Sequence, residues 1–264
     1  MELIESIHNP RVSLWYQLNS KKGREEQGRF IIEGYKLIEE ALTTNQEIEV
    51  VIVNNDKDPS DFTDKLIYQN DIKIVNVSNI VFNKLCDTET PQGIIAVVKK
   101  KRWEFNELLK DEVNKVLLLI DEIQDPGNLG TIIRSAAAAG VSGIIIGKNT
   151  VELHNPKVIR SAMGSIFHVP ILINNLDDSI EKLKALKIDL IGTSPYASID
   201  YYNVDLTNNV ALVIGNEARG LSEERQASVN KMVRIPIVGN TESLNVAMAT
   251  TVILFEHLRQ RNVF

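Results

Sequence analysis

Apolar and polar positions follow two different periods along the second half of the chain. Nearly continuous apolar runs predict strands at Val116–Ile120, Gly143–Gly147, Phe167–Ile173, Ile188–Thr193, Val210–Ile214 and Val233–Ile235. Apolar residues spaced three and four apart predict intervening helices at Leu129–Ala139, Pro156–Ala162, Ser179–Leu186, Ser222–Lys231 and Ser243 to about Arg261. Continuous apolar strands that alternate with helices predict an α/β fold whose mostly parallel sheet carries helices on both faces.

The first hundred residues show a shorter and less regular alternation. Strands are predicted at Arg29–Ile32, Ile48–Val53, Ile72–Val77 and Gly93–Val98. Helices are predicted at Gly34–Leu42, Asp61–Tyr68 and Ser78–Leu85. This pattern predicts a second, smaller α/β domain.

The basic run Lys99–Trp103, followed by a polar stretch up to Lys115, is the clearest change of composition. We therefore expect domains at 1–98 and 115–264, joined by a linker at 99–114. The linker is explained either as a solvated connection or as a nucleic-acid contact. In the second case its cations would attract phosphates and Trp103 would stack on a base.

Charge and composition narrow the classes of protein that fit. The formal net charge is −6, so any surface that binds nucleic acid must be a local patch. A single cysteine, Cys86, and four scattered histidines give no metal-ligand spacing, and we expect no metal. The N-terminus does not resemble a signal peptide and no apolar run is long enough to span a bilayer, so we expect a cytoplasmic protein.

Polar residues or glycines follow three of the predicted strands at the turn into the next helix, the position at which open α/β sheets build ligand sites. The first corner contains Asn128, a candidate helix cap, and Arg134 six residues later. The second corner is Gly-Asn-Glu-Ala-Arg-Gly-Leu at 215–221. The third runs from Ile-Pro-Ile at 235–237 to Ser-Leu-Asn-Val-Ala at 243–247. Three such corners predict one composite site.

Taken singly, these residues have ordinary structural explanations. Asn128 and Ser243 can simply cap helices, Arg134 can be solvated, and Glu217 can be favoured by the dipole of the next helix. The final helix is expected to bury a stripe of side chains, namely Leu244, Ala247, Met248, Thr251, Phe255 and Leu258. The second corner matches neither the dinucleotide fingerprint nor the P-loop, which argues against a nicotinamide-dependent oxidoreductase.

Taken together, the three corners resemble, in their order along the chain and in their residue sequences, the signature motifs of the SpoU (TrmH-type) RNA 2′-O-ribose methyltransferases. The resemblance covers roughly residues 115 to 262. The N-terminal part is similar to the small substrate-binding domain of rRNA-type members of that family. The segments that carry this second similarity are Ser6 to Val12, Lys21 to Arg24 and Phe30 to Gly34.

This resemblance implies a knotted (trefoil) catalytic domain, a smaller ribosomal-protein-like N-terminal α/β domain, a homodimer, and S-adenosylmethionine as methyl donor. It implies these catalytic residues: Asn128, Arg134, Glu217, Ser243 and Asn245. It implies these cofactor-binding residues: Thr193, Gly215, Asn216, Ile235, Ile237 and Leu244. The substrate would be a structured RNA, with rRNA favoured over tRNA by the N-terminal domain.

Two questions stay open at the level of sequence. A non-catalytic RNA-binding or ribosome-assembly protein of the same fold is the alternative to an enzyme, although the complete set Arg134, Glu217 and Asn245 argues against it. Arg134 is either the base that removes the ribose proton or a grip on the target phosphate. A guanidinium is effectively always protonated in a protein, which favours the grip.

Overall fold

The computed structural model describes residues 3–57, 72–109 and 115–261 and divides the chain into two compact units. The first unit is Met1–Lys101 together with His154–Ile159, and the second is Arg102–Leu153 with Arg160–Phe264. The predicted helix Asp61–Tyr68 and part of the predicted linker lie outside the described residues. Among the described residues, no helix combines the length and the apolar character that crossing a bilayer requires.

The first unit is built on a five-stranded mixed sheet. Its strands are β1 (Leu3–Ile4), β2 (Arg29–Glu33), β3 (Ile48–Asn54), β4 (Ile74–Val77) and β5 (Ile94–Lys99). Its helices are α1 (Pro10–Gln17), α2 (Lys21–Gln27), α3 (Tyr35–Thr43) and α4 (Asn79–Leu85). The strand order is β1-β4-β3-β5-β2, with β5 antiparallel to both of its neighbours and the other pairs parallel. Val12 and Trp15 of α1 and Phe82 of α4 are buried in one core cluster with strand residues of this sheet.

Helices α1 and α2 were not predicted, and their composition explains why. Helix α1 buries only Val12 and Trp15, so its apolar period is short. Helix α2 has the sequence Lys-Lys-Gly-Arg-Glu-Glu-Gln and contains no apolar side chain that could show a period. Its boundaries come from Ser20, whose side chain accepts a hydrogen bond from the Gly23 N–H, and from Gly28 in a left-handed conformation.

The second unit contains a seven-stranded sheet in which every neighbouring pair is parallel. Its strands are β6 (Val116–Ile120), β7 (Gly143–Ile146), β8 (Ile171–Ile173), β9 (Asp189–Thr193), β10 (Ile199–Asp200), β11 (Val210–Ile214) and β12 (Lys231–Arg234). Its helices are α5 (Pro126–Ala138), α7 (Leu176–Ala185), α8 (Glu223–Ser228) and α9 (Val246–Gln260), while α6 (Pro156–Ala162) begins in the segment that belongs to the first unit and ends in the second. The strand order is β10-β12-β9-β11-β6-β7-β8, and all residues of the central strands β6 and β11 are buried. The predicted mostly parallel α/β sheet is thus confirmed; the knot stays a prediction.

Two sequence predictions for this unit were wrong in detail. The strand predicted from Phe167 begins only at Ile171, because 165–167 form a 3₁₀ turn and Pro170 has no N–H for a sheet ladder. The final helix begins at Val246, not at Ser243. Trp103 is half-buried and packs against the core cluster that contains Leu108, so its position favours a structural role over base stacking.

The buried face of α9 also differs from the predicted stripe. Ala247 is buried, but Leu244, Met248 and Phe255 are 39, 52 and 40% exposed. The helix instead buries Thr250, Ile253, Leu254, Glu256 and His257. Periodicity identifies an apolar row on a helix but does not say whether the row faces the core or an outer surface.

Candidate functional site

The carboxyl ends of β6, β9, β11 and β12 meet at one edge of the parallel sheet, and a cavity of about 270 Å³ opens there. All six predicted cofactor residues line this cavity: Thr193, Gly215, Asn216, Ile235, Ile237 and Leu244. Glu217 and Ser243, both predicted as catalytic, line it as well. Tyr196, Gln226 and Glu242 belong to the wall without having been predicted, since none of them lies in a recognisable motif.

The second corner is a loop closed by its own backbone hydrogen bonds, and it forms part of the cavity wall. The N–H of Asn216 donates to the Gly220 carbonyl at 3.1 Å, and the Gly220 N–H donates back at 2.9 Å. A Cβ atom on Gly215 would lie 2.4 Å from the backbone carbon of Gly220, so no other residue fits at position 215. The Asn216 side-chain oxygen accepts from the N–H groups of Ala218 (3.0 Å) and Arg219 (3.1 Å). The side-chain oxygen of Asn216 is therefore used inside the loop.

Glu217 extends from this loop and binds the first corner. Its carboxylate accepts the backbone N–H of Asp125 at 3.0 Å, that of Gln124 at 3.2 Å, and the Asn128 amide at 3.2 Å. Partial burial pushes the pKa of Glu217 upward, but the donors from Asp125, its own backbone, Asn128 and Gln124 outweigh burial and lower the pKa below its usual 4.5. Glu217 is thus a carboxylate that fixes two loops to each other.

Asn128 connects Glu217 to the start of the final helix. Its side-chain oxygen accepts a hydrogen bond from the Asn245 amide at 2.9 Å. The Asn245 oxygen in turn accepts from the Ala247 N–H at 2.9 Å and caps α9. The partners fix the orientation of both amide groups, because each amide nitrogen faces an acceptor and each oxygen faces a donor. Three of the five predicted catalytic residues therefore form one chain, Glu217–Asn128–Asn245.

The predicted helix caps in this region were wrong. Asp125, not Asn128, caps α5 and accepts the Asn128 N–H at 2.8 Å, with Pro126 in the first helical position. Asn245, not Ser243, caps α9. Each corner contains two residues with capping side chains, and propensity alone does not distinguish them. The helices α5 and α9 also share a hydrogen bond of 2.6 Å between the Ser135 and Thr251 hydroxyls.

Arg134 and Ser243 are not part of this series of hydrogen-bonded side chains. The Arg134 side chain is exposed on α5 and makes no ion pair or hydrogen bond with any residue in the described ranges. Ser243 is exposed at the cavity wall, where its carbonyl accepts from the Thr241 hydroxyl at 3.2 Å. Among the described residues its own hydroxyl has no hydrogen-bond partner. The structure thus links Arg134 to the other predicted catalytic residues by neither a hydrogen bond nor an ion pair.

Residues 115–255 match the model of the SpoU rRNA methylase family, and residues 9–96 match that of the MRM3-like substrate binding domain. The chain is 35% identical over 260 residues to the 23S rRNA (guanosine(2553)-2'-O)-methyltransferase RlmP of Bacillus subtilis, covering 98% of this chain and 100% of the relative. It is similar to the SpoU methyltransferase AviRb of Streptomyces viridochromogenes in complex with AdoMet, with a TM-score of 0.89, 28% identity, and 97 and 99% of the two chains covered. An AdoMet-bound rRNA methyltransferase from Sinorhizobium meliloti gives a TM-score of 0.87 and 31% identity, over 98 and 97% of the two chains. The chain belongs to the SpoU rRNA methylase family.

Proposed function

We propose that this protein transfers the methyl group of S-adenosylmethionine to the 2′-hydroxyl of a ribose in 23S rRNA. The observation that carries the proposal is the hydrogen-bonded chain Glu217–Asn128–Asn245 beside a cavity lined by every predicted cofactor residue. The relative named for 23S rRNA guanosine methylation aligns over the whole chain, which supports this RNA as the substrate. An rRNA substrate would also place the protein in the cytoplasm.

The cavity offers what a nucleoside-type cofactor needs. Ile235, Ile237 and Leu244 supply apolar contact for a flat base, and the loop at 215–220 forms another part of the wall. S-adenosylmethionine, when bound, supplies a methyl group that its sulfonium charge has already activated. The protein has to align the ribose hydroxyl in line with that methyl group and assist loss of the hydroxyl proton.

Ser243 and Asn245 are proposed to orient the ribose hydroxyl. The Asn245 amide is held by Asn128, and its nitrogen keeps one further N–H for a ligand oxygen. The Ser243 hydroxyl at the cavity wall can donate or accept. The guanidinium of Arg134 is proposed to bind the target phosphate and to stabilise the alkoxide as it develops, because a group that stays protonated is a poor base.

We further propose a homodimer in which Arg134 of one subunit serves the site of the other. The support is twofold: Arg134 has no partner in the described part of its own subunit, and the apolar side chains of Met248 and Phe255 are exposed on α9. An exposed apolar row on a helix is typical of a protein–protein contact.

Mapping of 2′-O-methyl groups in 23S rRNA from cells with and without the gene tests the proposed reaction. We expect one ribose methylation to disappear in the deletion strain and to return with the wild-type gene but not with Arg134→Ala. An unchanged rRNA pattern together with a lost tRNA methylation would replace the substrate. Binding of RNA and S-adenosylmethionine without methyl transfer would instead indicate the non-catalytic alternative.

A mixing experiment tests whether Arg134 acts across the dimer. Arg134→Ala and Asn245→Ala subunits, each inactive alone, are unfolded together and refolded as a mixture. If Arg134 serves the other subunit, half of the dimers are heterodimers with one intact site, and about a quarter of the wild-type activity returns. No recovery from verified heterodimers would place Arg134 in the site of its own subunit.

A further inference from the structure

Glu122, the second residue after β6, has a backbone conformation that its residue type rarely adopts. Its φ is 60°, in the left-handed region that favours glycine. In the described part of the second unit, Met163 and Lys187 share this property, with φ of 50° and 57°. Lys187 follows the end of α7, where left-handed residues commonly terminate helices. Glu122 has no such helix to terminate, so its conformation needs another explanation.

The contacts of Glu122 join three loops of the second unit. Its carbonyl accepts the Asn216 amide at 2.9 Å and the Gln124 amide at 3.0 Å. Its carboxylate accepts from the Arg219 guanidinium at 3.0 Å and from the Asn149 amide at 3.3 Å. The Gln124 amide also donates to the Asn149 carbonyl at 2.7 Å. One residue thus connects the first corner, the loop after β7 and the second corner.

The contacts of Glu122 affect both Glu217 itself and the N–H groups that donate to its carboxylate. The carbonyl of Glu122 holds Asn216, the residue directly before Glu217. The turn at Glu122 also leads into the N–H groups of Gln124 and Asp125, which donate to Glu217. The conformation of Glu122 therefore sets both the position of the acceptor and the direction of its donors.

The ion pair between Glu122 and Arg219 stabilises the fold too little to explain why position 122 is a glutamate. The two side chains are 36 and 75% exposed, and exposed pairs contribute little to the free energy of unfolding. A left-handed glutamate also costs conformational free energy that a glycine at this position would save. The side chain is therefore better explained by what it orients.

We propose that Glu122 is a positioning residue for methyl transfer. It holds the two corners in register, so that Glu217 keeps the amide groups of Asn128 and Asn245 in the orientation that the ribose requires. The inference rests on the proposed function and adds a residue that touches neither the RNA nor the cofactor in that scheme.

Two variants of Glu122 separate positioning from folding. Glu122→Gly removes the carboxylate and relieves the left-handed strain, so the melting temperature should stay the same or rise. The turnover number should nevertheless fall about tenfold, with the KM for rRNA within about twofold, because small displacements of catalytic groups cost rate. Glu122→Gln, which keeps an acceptor oxygen, should recover part of the loss. Lys187→Gly is the matched control and should keep wild-type turnover.

A double variant tests whether Glu122 acts on the rate through Asn128. In an Asn128→Ala background, Glu122→Gly should lower single-turnover rates by less than about twofold, because both changes act through one chain. Wild-type turnover in Glu122→Gly, or a full tenfold loss on top of Asn128→Ala, would overturn the proposal.

Hydrogen exchange gives a readout that does not depend on activity. The amides of Gln124 and Asp125 should exchange faster in Glu122→Gly than in the wild type or in Lys187→Gly. Unchanged exchange would overturn the positioning role. If the wild-type protein transfers no methyl group, the proposed function fails, while the exchange experiment still decides whether Glu122 holds the corner.

Discussion

Two regions of the second unit differ in whether their functional side chains have hydrogen-bond partners. In the chain Glu217–Asn128–Asn245, each side chain is held by a partner from the same subunit. On the outer faces of α5 and α9, by contrast, Arg134 has no partner among the described residues, and Phe255 is 40% exposed. This difference agrees with the proposed reaction, in which the groups that must be oriented are fixed in advance. The groups without a partner are those that a phosphate or a second subunit would bind in that proposal.

Removal of the unpaired cation should have the largest effect. For Arg134→Ala we expect kcat/KM to fall by about 10²–10³, the range found when one preorganised donor to a developing oxyanion is lost. Because the side chain is exposed and unpaired in the described structure, the melting temperature should not change. Steady-state kinetics and thermal unfolding on the same preparation measure both quantities.

Arg134→Lys refines this test. Lysine keeps the positive charge but loses the two-pronged guanidinium, so an intermediate rate is expected if phosphate geometry matters. Wild-type rates in Arg134→Ala would remove Arg134 from the site. A large loss of turnover with intact RNA binding would show that its role is not confined to gripping a phosphate.

Removal of the central amide should have the next largest effect. For Asn128→Ala we expect a rate loss of about 10–100-fold, because Asn245 loses the partner that orients it. Stability should fall by only about 0.5–1.5 kcal/mol, since water can replace the lost hydrogen bonds at this exposed site. Urea unfolding and single-turnover kinetics measure the two effects.

Asn208→Ala is the matched control for that variant. Asn208 also donates to a carboxylate, that of Asp205 at 2.9 Å, and it lies outside the cavity wall. It should show a comparable small loss of stability with unchanged turnover. Equal rates in the two variants would contradict a catalytic role for the Asn128–Asn245 contact.

The contrast between the two regions also explains what the sequence could predict. The strands β6 and β11 are fully apolar, so their positions could be read from the chain, and parallel strands bring their ends to one edge. Neither the cap of α9 nor its buried face could be predicted in this way. Both depend on how α9 packs against α5, where tertiary contacts override local propensity.

The left-handed conformation of Glu122 was beyond prediction for a different reason. Glutamate carries no local preference for it, and the partners that hold it come from residues near 149 and 216–219. A turn enforced from distant parts of the chain leaves no local signal, whereas a glycine at the same position would have left one.

The exposed row on α9 gives the third prediction. Phe255→Glu should weaken the proposed dimer by about tenfold or more, because a carboxylate in an apolar contact loses its hydration without a partner. Sedimentation velocity over a range of concentrations measures this. Leu186→Glu is the control, since Leu186 is 53% exposed after the end of α7 and should leave association unchanged. Unaltered association in Phe255→Glu would exclude this face of α9 as the interface.

The smallest effect concerns the charge of Glu217. Its hydrogen-bond donors hold its folded-state pKa below the ordinary 4.5, so its ionised form stabilises the native state above that pH. The stabilisation is lost as the pH falls through the lowered pKa, where the unfolded chain already binds the proton. The difference in melting temperature between the wild type and Glu217→Gln should therefore be constant from pH 7 to about 5 and shrink below about 4.5. A difference that widens on acidification would mean that the corner prefers the protonated acid. In that case the orientation of Asn128 and Asn245 would not depend on the charge of Glu217, because a neutral Glu217 could accept fewer of the N–H groups that now converge on it.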